Sequence, residues 1–303
     1  MAHKTSKKRK NTSLITKLKN KIGWLYYLFI IIYYLFYYLF YVIHLIFKWI
    51  ITAFVWMFNF FSETTDKTIK YTEKRKIEKK RLELSANYVP FKIIETDSGT
   101  FTKFEEKLSK SDSTIGLILG ARGSGKTAIA VKLIENIYTK TKKRCYALGF
   151  NEEDMPAWIN IVSDIKEIRN NSYVLIDEGG ILFSSRRFMS NPNKLLSELI
   201  LIARHKNISI LFISQNSANL EINAIRQADY LILKTSSLLQ KDFERKKIKE
   251  IYEQIGERFK TYSSLKGITY IYSDEFSGFV ENQLPSFWTK EISKSFRKEE
   301  EQS

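Results

Sequence analysis

The sequence predicts an α/β domain built on a parallel sheet with helices on both faces, preceded by a membrane-embedded segment. Two observations carry this. Between residues 114 and 234, short continuous apolar runs alternate with stretches of helical spacing, as strands buried on both faces require. Ahead of them, Ile22 to Phe61 is forty residues without Asp, Glu or Arg. The 303-residue chain is 44% hydrophobic and 27% charged, which excludes wholesale disorder. Its one cysteine, Cys145, excludes an intramolecular disulfide and a cysteine zinc cluster. Three histidines, His3, His44 and His205, argue against a His-rich metal site.

Residues 1–21 form a basic tail with eight Lys/Arg and no acid, half of the net charge of +16. The apolar stretch that follows, 22–61, is hydrophobic all round, which a soluble core helix of this length rarely is. As one helix it measures about 60 Å, about twice the hydrocarbon thickness of a bilayer. The next segment, 62–86, reads as a charged helical linker with eight basic residues against five acidic ones. Basic flanks on both sides place both on the cytoplasmic face. Two spans, 22–41 and 45–61, turning near His44 and Lys48, are the expectation; a single tilted span followed by an interfacial helix is the alternative. The basic juxtamembrane cluster suits anionic lipid head groups. The Tyr and Trp residues read as lipid-facing bulk and interfacial anchors.

From residue 87 to 290 the composition is that of a cytosolic domain, and 291–303 reads as a frayed tail. The expected elements are a strand at 114–120, a helix at 126–138, a strand at 144–150, a helix at 157–168 and a strand at 173–177. A helix at 194–205, strands at 208–214 and 230–234, an amphipathic helix at 241–259 and an edge strand at 267–273 follow. The first strand runs into Gly120-Ala121-Arg122-Gly123-Ser124-Gly125-Lys126-Thr127. This fits G-x-x-x-x-G-K-[ST] with a strand before it and a helix after it. The glycines let backbone N–H groups turn toward an anion, and the helix dipole reinforces them. Lys126 is the side chain for the β- and γ-phosphates, and the Thr127 hydroxyl is a ligand for Mg²⁺. Arg122 lies in the loop, where it either touches nucleotide or stays exposed.

Fifty residues beyond Lys126, Tyr-Val-Leu-Ile ends in Asp177-Glu178. A buried strand ending in an acid pair places Asp177 to hold Mg²⁺ or its water. Glu178 then stands where a general base polarises the attacking water, which favours hydrolysis. ATP and Mg²⁺ are the expected cofactors.

The run LGARGSGKT, then VLIDEGG, an Arg-His pair before LFISQ, and ADYLILK resembles the HerA–FtsK superfamily of DNA-pumping ATPases. Within it the likeness is to the zonula occludens toxin-like group and to viral packaging ATPases, over Ile115 to Lys234. The resemblance implies a RecA-like P-loop core with strand order 5-1-4-3-2, often a hexameric ring, and movement of DNA. It also implies that Gln215, at the end of the fourth core strand, faces the γ-phosphate. Membrane segments ahead of the ATPase domain resemble FtsK rather than the phage assembly proteins.

A ring ATPase supplies an arginine to its neighbour's γ-phosphate. Arg204 is the candidate here; its alternative is a helix-end cation favourable to the dipole. Arg186 and Arg187 are either solvated loop residues or phosphate contacts for DNA. Three functional readings follow. The first is a membrane-anchored ATPase that translocates DNA, in genome packaging, virion extrusion or conjugative transfer. The second is an assembly or secretion ATPase acting on protein, with viral or secretion-complex membrane proteins as partners. The third is an anchor that binds nucleotide without hydrolysing it. Membrane lipid, DNA and further copies of the chain are the expected partners, with the ATPase domain in the cytoplasm.

Overall fold

A computed structural model of the chain describes residues 3–178, 192–220, 222–290 and 292–293. Arg186, Arg187 and, apart from residues 292 and 293, the tail expected at 291–303 lie outside them. The chain divides into two compact units, one up to Lys74 and one from Arg75 onward. The first unit lies within a single helix, α1 (His3–Glu83). The expected hairpin is therefore corrected: no turn interrupts α1 at His44 or Lys48. The physical reason is local. After Gly23 the apolar stretch holds no Gly or Pro, so nothing breaks the i→i−4 ladder. The segment Lys21–Glu63, 43 residues, is long and apolar enough to cross a membrane, and none of its most apolar window is buried.

The second unit contains β1 (Lys92–Gly99), α2 (Phe101–Lys110), β2 (Ile115–Leu119), α3 (Lys126–Thr141), β3 (Arg144–Leu148), β4 (Ile159–Ile161) and β5 (Ser172–Asp177). It continues with α4 (Pro192–Lys206), β6 (Ile208–Ile213), α5 (Ile222–Arg226), β7 (Tyr230–Leu233), α6 (Leu238–Phe243), α7 (Lys246–Thr261), β8 (Ile268–Ser273) and β9 (Phe276–Glu281). Among the described residues, nine strands form one sheet in the order β1-β9-β8-β7-β2-β6-β5-β3-β4. The run β7-β2-β6-β5-β3 within it follows the expected 5-1-4-3-2 order of the five core strands, and the sheet as a whole differs by the four strands added around them. The parallel run β7-β2-β6-β5-β3 sits inside a wider mixed sheet. On one side β8, β9 and β1 extend it antiparallel, and on the other β4 adds a parallel edge. The strand expected at 267–273 is therefore internal, covered by β9 and β1 rather than forming the edge.

Alternation along the central strands explains the layers. Leu117, Leu119, Val174, Ile176, Ile210 and Phe212 pack with Leu196, Leu199 and Ala203 of α4 and Ile251 and Ile255 of α7. Their neighbours Ile118, Leu175, Leu211 and Ile213 point to the other face, against Ile129, Leu133 and Ile134 of α3 and Phe104 and Leu108 of α2. Successive side chains on a strand alternate faces, so continuous apolar strands require cover on both.

Two further expectations are corrected. The segment 157–168 forms β4 and a short 3₁₀ turn, Ile165–Glu167, rather than a helix. Arg81, near the end of α1, takes its backbone groups: Nε donates to Met155 O at 2.9 Å and Nη2 to Ile159 O at 3.3 Å. The Arg81 carbonyl accepts from Ala157 N at 3.1 Å. The amphipathic helix expected at 241–259 is split into α6 and α7 at Glu244 and Arg245. Buried Glu244 accepts from Ser217 N at 2.8 Å, and Arg245 Nε donates to Ser217 O at 3.0 Å. These long-range bonds outweigh helix continuity.

Strand β1 is fastened to α7 and β8 by a polar cluster. Arg258 pairs with Asp97 through Nη1–Oδ1 at 2.5 Å and Nη2–Oδ2 at 3.0 Å, and Tyr270 OH donates to Asp97 at 2.7 Å. The Arg258 guanidinium holds the Asp97 carboxyl below its ordinary value. A depressed carboxyl stabilises the fold above its unfolded pKa, about 3.9, and loses that contribution as pH falls through the lower folded value. Asp97→Asn should therefore cost about 1–2 kcal/mol at neutral pH. Its difference from wild type should shrink below about pH 4. Thermal unfolding of both proteins across pH checks this; a gap that persists unchanged to pH 2 contradicts it.

Candidate active site

The site forms at the C-terminal ends of β2, β5 and β6, three adjacent parallel strands. Beyond Leu119 the chain turns through Gly120 (φ 151°), Gly123 (φ 71°) and Gly125 (φ 90°) before α3 begins at Lys126. These left-handed positions are open to glycine and strained for other residues. At Gly120 a Cβ would also stand 2.7 Å from Lys234 Cβ. The turn aims the first N–H groups of α3 into the loop's concavity, where the helix dipole favours an anion.

Lys126 is buried and its Nζ donates to Gly120 O and Ala121 O, both at 2.9 Å. Thr127 Oγ1 donates to Asp177 Oδ2 at 3.3 Å. Two motifs fifty residues apart thus meet at one point. A hydroxyl and a carboxylate side by side at a phosphate loop are hard oxygen ligands of the kind Mg²⁺ takes. Among the described residues no group of three or more His, Cys, Asp or Glu could hold a metal. Mg²⁺ bound by one or two side chains and substrate phosphates needs none. The buried Ser124 Oγ has no hydrogen-bond partner among the described residues. An orphaned hydroxyl inside the loop suits a phosphate oxygen. The residues present therefore fit a magnesium nucleotide.

Glu178 is buried beside Asp177. Burial raises its carboxyl above the ordinary value, and the Asp177 charge adds to this. Hydrogen bonds from the Ser214 and Asn219 side chains and from the Gln215 backbone oppose the rise. The acid is thus held from three sides by the segment that follows β6.

Sequence reasoning placed Gly120 to Thr127, Asp177 and Glu178 in one site, and the structure brings them together. Gln215 is at the expected strand end; its side chain is exposed, and its carbonyl accepts from Gln240 Nε2. Arg122 is exposed on the loop. Arg204 is not brought to the site of its own chain. It sits exposed in the last turn of α4, close to Lys206 and Asn207, whose carbonyls accept from Asn171 N at 2.9 Å and Ser172 N at 3.2 Å. That is the N-terminal end of β5, whereas the phosphate loop leaves the C-terminal end of β2. Ser214, Asn219 and Lys234 were missed. The polar string Ser214–Asn219 directly after an apolar strand was the available signal for the first two.

The geometry is that of an α/β fold with a phosphate loop: strand, glycine loop, helix and, beyond β6 in the sheet, an acid-tipped strand. None of the known family models matches the sequence, and no curated protein matches it. Solved structures similar to it include the DNA-packaging ATPase B204 of Sulfolobus turreted icosahedral virus. That likeness has a TM-score of 0.39 and 16% identity, over 57% of this chain and 98% of that one. EssC (ATPases 2 and 3) from Geobacillus thermodenitrificans gives 0.37 and 13%, over 63% and 43%. The pCW3 conjugation coupling protein TcpA gives 0.38 and 11%, over 61% and 65%. Scores of this size record a likeness; the chemistry of the site rests on this chain's own residues.

Proposed function

We propose that this chain is a membrane-anchored ATPase that couples ATP hydrolysis to movement of DNA. The observation that carries the hydrolytic reading is the Thr127–Asp177 contact beside Lys126, with Glu178 next in sequence. Lys126 and the loop N–H groups would bind the phosphates, Ser124 would add a hydroxyl, and Thr127 with Asp177 would hold Mg²⁺, which when bound would offset phosphate charge. Glu178 takes the proton of the attacking water, and Gln215 lies at the adjacent strand end toward the γ-phosphate. Anchoring is supported by α1. In water, its exposed Trp, Phe, Ile and Leu side chains would cost about 25 cal/mol per Å² of apolar surface. One span with the remainder of the helix tilted or interfacial accommodates an unbroken 43-residue segment. The basic residues of the 62–86 flank meet anionic lipid on the cytoplasmic side, where the ATPase domain lies; with one span the tail at 1–21 is on the opposite face.

DNA as cargo is supported by the sequence resemblance. The alternative is a protein substrate, supported by the equal numbers of basic and acidic residues in 240–303, twelve of each. The full-length chain in liposomes, assayed for ATP hydrolysis with single- and double-stranded DNA, separates them. Stimulation by either DNA is expected; turnover indifferent to both, without DNA binding at low salt, leaves the protein reading. A ring of copies would let Arg204 reach a neighbour's site, since it is exposed beside exposed Leu201 on α4. Arg204→Ala should then lower kcat by at least about 10³-fold with little change in KM. An unchanged kcat excludes that role.

A further inference from the structure

Directly beside the phosphate loop lies a second buried lysine that the mechanism above does not use. Lys234 follows β7, the strand next to β2 on the side away from β6. Its backbone N–H donates to Leu119 O at 2.8 Å, and Thr235 O accepts from Ala121 N at 2.8 Å, so the two strand ends are joined as the loop begins. The side chain is 3% exposed. Its stem lies against the loop glycines: Cβ is 2.7 Å from where a Gly120 Cβ would stand, and Cε is 3.7 Å from where a Gly125 Cβ would stand. Nζ is 4.0 Å from that second point, and Gly125 is the residue that opens α3.

The ammonium donates to Ile268 O at 2.6 Å and to Thr269 Oγ1 at 3.0 Å. Thr269 in turn donates to Asn282 Oδ1 at 2.9 Å. Every one of these acceptors is neutral, and among the described residues no carboxylate forms an ion pair with Lys234. Buried lysines are ordinarily paired; Lys132, buried on α3, is paired with Glu135 at 2.8 Å. A buried cation without a counter-charge is costly unless the site supplies an anion in its working state.

We propose that Lys234 is a positioning residue of the nucleotide site, holding the floor of the glycine loop to β8 and taking the bound phosphates as its counter-charge. The proposal rests on the nucleotide reading of the loop. Burial alone pushes the Lys234 ammonium down to about 7. A phosphate anion across the loop stabilises the charged form and is stabilised by it. Binding energy is thereby stored in a feature that costs the nucleotide-free fold stability.

The test is binding of AMP, ADP and ATPγS to the full-length chain in detergent, for wild type, Lys126→Ala, Lys234→Met and Lys234→Gln, with thermal midpoints measured without nucleotide. The methionine keeps the stem; the glutamine keeps a donor for Ile268 O and so guards against a loss of folding. Both neutral variants should bind ADP and ATPγS about tenfold more weakly. Their AMP affinity should be unchanged, since AMP lacks the β-phosphate held by the loop. Their thermal midpoints should not fall. Wild-type affinity in either variant overturns the proposal, as does an equal loss for all three nucleotides. A loss in the methionine variant alone reduces Lys234 to a structural tether and overturns the charge role. A wild-type chain that binds ATPγS no better than Lys126→Ala removes the nucleotide reading itself, and this proposal with it.

Discussion

Glu178→Gln should lower ATP turnover by about 10²–10⁴-fold while leaving ATPγS affinity within a few-fold of wild type. The reason is positional. Asp177 and Glu178 are consecutive at the end of a strand, and the structure gives them different partners. Asp177 accepts from Thr127, and under the proposed mechanism the two would serve the magnesium. Glu178 faces Ser214, Gln215 and Asn219 and shares no such contact. Glutamine preserves size and hydrogen bonding but cannot accept a proton, so only the step that needs a base is lost. Steady-state hydrolysis and equilibrium binding on the same preparation check it. Turnover within threefold of wild type would remove Glu178 from the mechanism.

The second large effect concerns stability. On α3, the helix that leads from the phosphate loop, Lys132 and Glu135 form a buried pair at 2.8 Å, side chains 1% and 0% exposed. Glu135 also accepts from Asn87 N at 3.1 Å and Ser286 N at 3.1 Å, and Lys132 donates to Asn87 O at 3.2 Å. Next to them, Asn136 exchanges two hydrogen bonds with Val89 at 3.1 and 2.8 Å. The polar face of α3 thus holds both residues 87–89 and Ser286. Glu135→Ala would leave a buried ammonium without its counter-charge and the Asn87 and Ser286 N–H groups without their acceptor. The expected loss is about 3–5 kcal/mol. Lys132→Met with Glu135→Leu should recover part of it, because the orphaned charge is gone while the N–H groups remain unpaired. Chemical unfolding of the two variants decides; a single-variant loss under about 1 kcal/mol contradicts the buried-pair account.

What was legible in the sequence follows from burial. The strands at 115–119 and 208–213 are buried throughout and 172–177 as far as Ile176, so their apolar runs stood out, and each leads into residues of the candidate site. Strand β1 was invisible because KIIETDSG is mostly exposed at the sheet edge, and its pairing with β9 shows no local period. The segment 157–168 misled because its backbone is claimed by Arg81, far away in sequence. Helix α1 misled the other way: length argued for a turn, but no residue supplied one. Nothing in the sequence set Lys234 apart, because only the tertiary fold lays its stem beside Gly120.

Magnesium-dependent ATP hydrolysis by the full-length chain in detergent, compared between wild type and Lys126→Ala, tests the central claim most directly. Wild type should turn over ATP with Mg²⁺ and stall with EDTA. Lys126→Ala should fall to background, because its ammonium serves the phosphates that react. Equal rates in the two proteins, or wild-type turnover unchanged by EDTA, would contradict the assignment of this loop as the site of chemistry.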